Sequence, residues 1–167
     1  KEIYFYTYGD VPLNSADGLS YKTVTSLYED RDHILWFGTD GDGINRFDPQ
    51  KEEFRHYPAT FDKKVVSIIE YNEEELLLSI FSQGLYRFHK KTGELREYVV
   101  ADAGKSRRLF RVGLAIHLDR LDKEHFYIYS DSVYLYNQSK GRLEAIGCKE
   151  EGIVLSALMK VHGDQPV

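Results

Sequence analysis

The run Asp40-Gly41-Asp42-Gly43 offers the clearest chemistry in the sequence, because it places two carboxylates close together. Paired aspartates supply the hard oxygen ligands that Ca²⁺ prefers, but a usable site needs about six oxygens. No loop of the EF-hand type follows this run. The glycines supply the positive φ angles that tight turns require. A turn between two strands is therefore the favoured interpretation, and neither a metal site nor a cofactor is predicted.

The histidines and the cysteine give no pattern that indicates catalysis. No pair of histidines has the H-x-x-x-H spacing of a helical metal site, and the chain has no H-E-x-x-H, G-x-S-x-G or phosphate-binding glycine loop. The single cysteine, Cys148, cannot form a disulfide within the chain. No catalytic residue is therefore predicted. His117 and Asp119, which lie close along the chain, leave an enzyme as an alternative.

Charge and hydropathy exclude several classes of protein. The formal net charge of −5 argues against a nucleic-acid partner, which would require a basic face. No apolar run reaches the roughly 18 residues that span a bilayer. The chain begins Lys-Glu-Ile-Tyr, without a signal peptide or an initiator methionine. It is therefore expected to be processed or excised from a longer chain.

An internal repeat of about forty residues runs through the sequence. Residues 24–59 align with residues 65–100 without a gap, at a constant offset of 41. The two copies share Val24 and Val65, Ser26 and Ser67, Glu29 and Glu70, Gly43 and Gly84, Arg46 and Arg87, Phe47 and Phe88, and Tyr57 and Tyr98. A weaker third copy spans about 110–146. Partial copies are predicted at 1–20 and 152–167.

Each copy divides into four short strands, which in the first copy are predicted at 24–29, 33–39, 43–48 and 53–57. The strands are apolar on both faces, as in Leu76-Leu77-Leu78, whereas a sheet exposed on one side would alternate. Four short strands in about forty residues are typical of a β-propeller blade. The prediction is an all-β chain in which residues 1–167 form a single incomplete propeller, with about three blades of four antiparallel strands plus partial flanking blades.

The first copy resembles a known repeat. Three segments carry the resemblance: Val24-Thr25-Ser26-Leu27-Tyr28-Glu29-Asp30, then Leu35-Trp36-Phe37-Gly38-Thr39, then Gly43-Ile44-Asn45-Arg46-Phe47-Asp48-Pro49. Together they are similar to the two-component regulator propeller repeat of Bacteroides-type hybrid two-component system histidine kinases. The second copy departs from the pattern, since Leu77 replaces Trp36 and Ser79-Ile80 replace Gly38-Thr39.

The resemblance implies a fragment of a periplasmic sensor domain whose parent protein is anchored in the inner membrane. Such a domain binds an oligosaccharide derived from a polysaccharide and relays the signal to a histidine kinase. The expected partners are this ligand, the remainder of the sensor chain and a second copy of the parent, and no enzymatic activity is expected in the segment itself. Two alternatives stay open: a lyase or hydrolase on a propeller scaffold, with His117 as the residue to test, and a protein–protein interaction scaffold.

Residues with structural roles are distinguished from candidate binding residues by their place in the repeat. Trp36 could stack on a sugar, but the repeat favours packing between blades. The structural set is Trp36, Gly38, Gly43, Gly84, Phe47 and Phe88. Turns between second and third strands combine polar groups with an aromatic ring, which suits a sugar. The candidate binding residues there are Asp40, Asp42, Phe81, Ser82, Gln83 and Asp131.

Three blades do not close a ring, so the two outer blade faces are expected to remain apolar and uncovered. The segment is therefore predicted to dimerise, to swap blades or to belong to a longer fold.

Overall fold

Three four-stranded antiparallel sheets form the protein in this computed structural model, which describes residues 18–102, 105–106, 115–130 and 132–146. The first blade contains β1 (Val24–Glu29), β2 (Leu35–Thr39), β3 (Ile44–Asp48) and β4 (Glu53–His56). The second contains β5 (Val65–Glu70), β6 (Glu75–Ile80), β7 (Gly84–His89) and β8 (Leu95–Glu97). A short hairpin of β9 (Ala101–Asp102) and β10 (Lys105–Ser106) follows. The third blade contains β11 (His117–Arg120), β12 (His125–Tyr129), β13 (Val133–Asn137) and β14 (Arg142–Ala145).

The predicted fold class is confirmed by this arrangement. In every blade the four strands are hydrogen-bonded in chain order, and the strands predicted in the first copy differ from the observed ones by at most two residues. The only helical element in the described residues is a single 3-10 turn at Pro58–Thr60, which connects the first two blades. The predicted flanking partial blade at 152–167, and residues 1–17 of the other, lie outside the described residues.

The second blade is covered on both faces, which explains why its middle strand does not alternate. All six residues of β6 are buried. Successive side chains of a strand point to opposite faces. Leu76 and Leu78 accordingly pack with residues of the first blade, whereas Leu77 packs with residues of the third. A strand that is buried on both faces can be apolar at every position.

Trp36 lies at the centre of the apolar cluster between the first and second blades, called here the first seam. Its ring stacks on Tyr57 at a centroid distance of 5.9 Å and meets Phe88 edge to face at the same distance. Tyr57 and Phe88 meet at 4.9 Å. The three rings therefore join the two blades, and Trp36 is too deeply buried to offer a stacking surface to a ligand.

The apolar cluster between the second and third blades, the second seam, contains Leu77, Leu118, Phe126 and Tyr136. The repeated serine of the first strand contributes a polar contact at both seams. Ser26 Oγ donates to the Val65 carbonyl at 3.3 Å. One repeat later, Ser67 Oγ accepts the backbone N–H of Leu118 at 3.0 Å. The same repeat position therefore links neighbouring first strands twice.

The outer face of the first blade is exposed, although the equivalent face of the second blade is buried. Leu27 and Ile68 occupy the same repeat position, yet Leu27 is 61% exposed and Ile68 only 5%. The difference arises because Ile68 packs in the first seam, whereas the structure places no blade against Leu27 within the described residues.

Gly43 and Gly84 occupy equivalent turns and allow a matched test of backbone packing. Both have positive φ, at 73° and 101°. A Cβ on Gly43 would lie 2.1 Å from Thr60 Oγ1, but a Cβ on Gly84 would have nothing within 4 Å. We expect Gly84→Ala to cost about 1 kcal/mol in unfolding free energy from backbone strain alone. Gly43→Ala should cost about 1–3 kcal/mol more from overpacking. Urea denaturation measures both values, and equal losses would contradict the assignment.

Candidate functional site

The two ends of the blades carry different turns, because consecutive turns of an antiparallel sheet lie at opposite ends. One end, called the hairpin end, carries the turns β2–β3, β6–β7 and β12–β13. The opposite end carries β1–β2, β5–β6 and β11–β12 and is called the cleft end. Five of the six candidate binding residues predicted from the sequence lie at the hairpin end, and the sixth, Asp131, lies outside the described residues.

At the hairpin end, Lys64 brings together two of the predicted residues, Asp40 and Phe81. The sequence analysis did not single out this lysine. Lys64 Nζ lies 2.7 Å from Asp40 Oδ1 and 5.4 Å from the centre of the Phe81 ring. Phe81 is partly exposed, and its backbone N–H donates to the Lys64 carbonyl. A cation beside an aromatic face gains a further attraction. Asp40, Lys64 and Phe81 therefore form a polar and aromatic cluster around one lysine.

The other predicted residues take part in the geometry of the turns. The Asp42 backbone N–H donates to Thr39 Oγ1 at 3.0 Å, and the Gln83 N–H donates to the Ile80 carbonyl at 3.0 Å. Ser82 has a φ of 60°, as a tight turn requires. Asp131 lies outside the described residues. These contacts explain the turns, and ligand binding by this set stays a prediction.

A cleft of about 700 Å³ opens at the cleft end. Side chains from all three blades line it: Tyr28 and Arg31 from the first, Glu70, Tyr71, Asn72 and Glu73 from the second, and Arg120, Asp122, Lys123 and Gln138 from the third. Its size is within the range of small-ligand sites, which combine aromatic surface with a few convergent polar groups.

Arg120 joins the third blade to the second beneath the cleft. Its guanidinium donates to the carbonyl oxygens of Glu70 and Tyr71, and to Gln138 Oε1 at 3.2 Å. Gln138 Nε2 in turn donates to the Tyr71 carbonyl at 3.1 Å. The guanidinium also lies 5.3 Å from the centre of the Phe126 ring. Burial lowers the pKa of Arg120 from its ordinary value, which leaves the group charged because that value is so high.

A chain of charged groups joins the first and second blades at the same end. Lys90 Nζ lies between Glu70 Oε1, at 2.9 Å, and Asp30 Oδ2, at 3.4 Å. The Lys90 side chain is only 9% exposed and that of Asp30 only 2%. Asp30 also accepts the Trp36 indole N–H at 2.9 Å, and Arg31 pairs with Glu70 at 3.0 Å. The network therefore connects the rim of the cleft to the aromatic cluster of the first seam.

The carboxyls of this network remain ionised at neutral pH. Burial acts to raise the pKa of Asp30, but the Trp36 hydrogen bond, the backbone N–H groups and Lys90 outweigh it and lower that pKa. In the same way Arg31 and Lys90 overcome the effect of burial and lower the pKa of Glu70. Burial, followed by the charges of Glu70 and Asp30, raises the pKa of the Tyr28 phenol, which therefore keeps its proton.

The structure does not place His117 and Asp119, the residues of the enzyme alternative, in the cleft. His117 pairs with Tyr129 in register, and Asp119 pairs with Tyr127. Leu118, between them, packs in the second seam with the second blade. Because successive side chains alternate, His117 and Asp119 point to the other face of the third blade. No group of three or more His, Cys, Asp or Glu side chains within the described ranges could hold a metal ion.

Sequence reasoning missed the cleft residues although one signal was available. Glu29 and Glu70 are identical between the first two copies, and in the third blade Arg120 ends the first strand where these acids do. A charged residue at that position in each copy predicts a cluster of charged side chains where the first strands of the blades end. The contacts of Asp30 and Arg31 with the next blade have no such signal in the sequence.

Comparison with a protein family supports the predicted resemblance. Residues 18–41 match the family described as "Two component regulator propeller". The segment at 18–41 is therefore similar to a two-component regulator propeller repeat. The match covers the lead-in to β1, both strands of the first hairpin and the start of the next turn, and so includes Asp30, Arg31 and Trp36. No curated protein matches the chain in sequence.

Solved structures show the same propeller fold at low sequence identity. The extracellular domain of the hybrid two component system BT4673 from B. thetaiotaomicron is 18% identical, with a TM-score of 0.58 over 83% of this chain and 18% of that one. The corresponding domain of BT3049 from the same organism is 14% identical, with a TM-score of 0.58 over 84% and 20%. The WD40 repeats of RRP9 are 13% identical, with a TM-score of 0.53 over 75% and 39%. The chain thus spans about a fifth of the length of these two extracellular domains. No helix in the described part of the repeat protein could span a membrane.

The charged network predicts a specific dependence of stability on pH. The folded pKa values of Asp30 and Glu70 lie below their unfolded values, so their stabilising effect is complete at neutral pH and declines as the pH falls below about 4. Lys90→Met leaves the buried Asp30 and the partly buried Glu70 without their shared cation and should cost about 3 kcal/mol at neutral pH. The unfolding free energy of the Lys90→Met variant should also fall less between neutral and acid pH than that of the wild type.

Chemical denaturation at several pH values measures this effect. Lys91→Met is the matched control, because Lys91 is the exposed neighbour of Lys90 and its replacement should change stability by less than about 0.5 kcal/mol. Identical pH profiles for the wild type and Lys90→Met would show that the network does not contribute.

Proposed function

We propose that this chain is a segment of the periplasmic sensor propeller of a hybrid two-component regulator. In this proposal it binds an oligosaccharide derived from a polysaccharide, and the parent protein, anchored in the inner membrane and paired with a second copy, relays binding to a histidine kinase. The regulator repeat at 18–41 and the likeness to two extracellular domains of hybrid two component systems support it. The segment acts by binding, without catalysis of its own.

The observation that carries the binding function is the cleft, because three blades contribute to it. A ligand in the cleft contacts Tyr28 of the first blade, Asn72 of the second and Gln138 of the third. Phenol and amide groups both donate and accept hydrogen bonds, as sugar hydroxyls do. Binding there would also depend on the relative positions of the blades, because Arg120 and Glu70 join the three blades directly below the cleft.

The hairpin end is the second candidate position for the ligand. There Lys64 brings Asp40 beside Phe81, which combines a polar group with an exposed ring. In this version of the proposal Asp40, Asp42, Phe81, Ser82, Gln83 and Asp131 contact the sugar. The two positions lie at opposite ends of the blades, so substitutions can distinguish them.

Matched tyrosine variants provide the test. Isothermal titration calorimetry with a panel of neutral and acidic plant and microbial oligosaccharides should identify a ligand. Tyr28→Phe, which removes one hydroxyl from the cleft, should then weaken binding by about two- to tenfold, the contribution of one hydrogen bond. Tyr21→Phe removes the same group at the hairpin end, where Tyr21 lies against Gly41, and should leave the affinity unchanged.

The opposite result would relocate the site. If Phe81→Ala and Tyr21→Phe weaken binding while Tyr28→Phe does not, the ligand lies at the hairpin end. If no oligosaccharide of either charge class binds to the folded chain, the proposed binding function is wrong for this segment.

A further inference from the structure

We infer that the cleft selects uncharged oligosaccharides and rejects those that carry uronate or sulfate groups. This inference rests on the proposed function and specifies its ligand class. It follows from the way in which the protein itself satisfies the charged groups around the cleft.

The charges that line the cleft and lie directly behind it cancel. Three cationic side chains line the cleft and Lys90 lies behind it, while three carboxylates line the cleft and Asp30 lies behind it. The four cations are Arg31, Lys90, Arg120 and Lys123, and the four anions are Asp30, Glu70, Glu73 and Asp122. An entering anion therefore meets no net positive charge.

Two of the cations, Arg31 and Lys90, are also engaged by carboxylates of the protein. Arg31 pairs with Glu70 at 3.0 Å and with Glu73 at 2.8 Å. Lys90 is shared by Glu70 and Asp30. A ligand carboxylate that approached Arg31 would lie beside two carboxylates that already accept three of its five N–H groups. Like charges placed together in an interface oppose binding.

Arg120 is engaged in a different way, through neutral acceptors. Two backbone carbonyls, of Glu70 and Tyr71, and the Gln138 amide oxygen accept its N–H groups. Turning the guanidinium towards a ligand anion would break contacts that join the third blade to the second. Because unsatisfied buried polar groups are costly, this rearrangement is disfavoured.

Uncharged side chains of the cleft provide further hydrogen-bonding capacity. The Tyr28 phenol keeps its proton. Gln138 Nε2 has two N–H groups, of which the Tyr71 carbonyl accepts one. Asn72 Nδ2 likewise donates one N–H to Glu75 at 2.9 Å. A phenol and two amide N–H groups match neutral sugar hydroxyls, and the net charge of −5 adds a long-range repulsion of polyanions.

Oligosaccharide pairs that differ only at C6 test this selection. β-1,4-Mannotetraose and β-1,4-tetramannuronate have the same linkage and length, as do cellotetraose and its C6-oxidised tetraglucuronate. These pairs, together with neutral xylo- and arabino-oligosaccharides, are titrated into the full chain at low and at physiological ionic strength. We expect a neutral member to bind at least about tenfold more tightly than its acidic partner. Its affinity should not change with salt.

A substitution at the rim that removes one negative charge and keeps the side-chain shape gives a second readout. Glu73→Gln removes one of the two carboxylates that engage Arg31 and should increase the affinity for the acidic partner by about threefold or more. Glu94→Gln makes the same change in an exposed Glu–Arg pair that does not line the cleft, and it should have no effect. Equal effects of the two substitutions would attribute the selection to net charge alone and would overturn the role of the cleft.

The outcomes separate this inference from the proposed function. Tighter binding of an acidic member, or affinity that falls steeply with salt, would overturn the inference and leave oligosaccharide binding intact. Absence of binding by every member of the panel would overturn both.

Discussion

The two apolar faces of the second blade must each be covered by a neighbouring blade, and this requirement governs the rest of the structure. A four-stranded sheet with two apolar faces cannot bury both faces by itself. Leu76 and Leu78 therefore pack against one neighbouring blade, and Leu77 packs against the other. Burial of such side chains contributes about 1.5–3 kcal/mol each. The seams between blades, and not the interior of any one sheet, therefore contain the hydrophobic core.

The two seams are filled by different side chains. In the first, the Trp36 ring fills the space and its indole N–H donates to Asp30, a carboxylate that Lys90 of the next blade also contacts. In the second blade, Leu77 stands at the tryptophan position and Tyr71 at the aspartate position. The acid and the tryptophan are replaced together, as expected if each is required by the other. A buried indole N–H needs an acceptor, whereas a leucine does not.

The cleft follows from the same arrangement. The first strands of adjacent blades contact one another, so the charged residues that end them are brought together. Glu70 lies between two neighbours: its carboxylate contacts Arg31 of the first blade, and its carbonyl accepts Arg120 of the third. A group that contacts both neighbours couples any change at one seam to the other. This coupling is the physical basis on which a bound ligand could affect the relative positions of blades.

The sequence by itself determined the blades, because strand length, two-sided hydrophobicity and turn glycines are local properties that repeat at an offset of 41. It also indicated that Trp36 belongs to the interior. It did not identify Lys64 beside Phe81, or the convergence of Tyr28, Glu70 and Arg120 on one cleft. These contacts join residues about 17 to 92 positions apart, and they depend on how one blade is placed against the next. Only the tertiary structure fixes that placement, since it arises from side-chain packing across the seams.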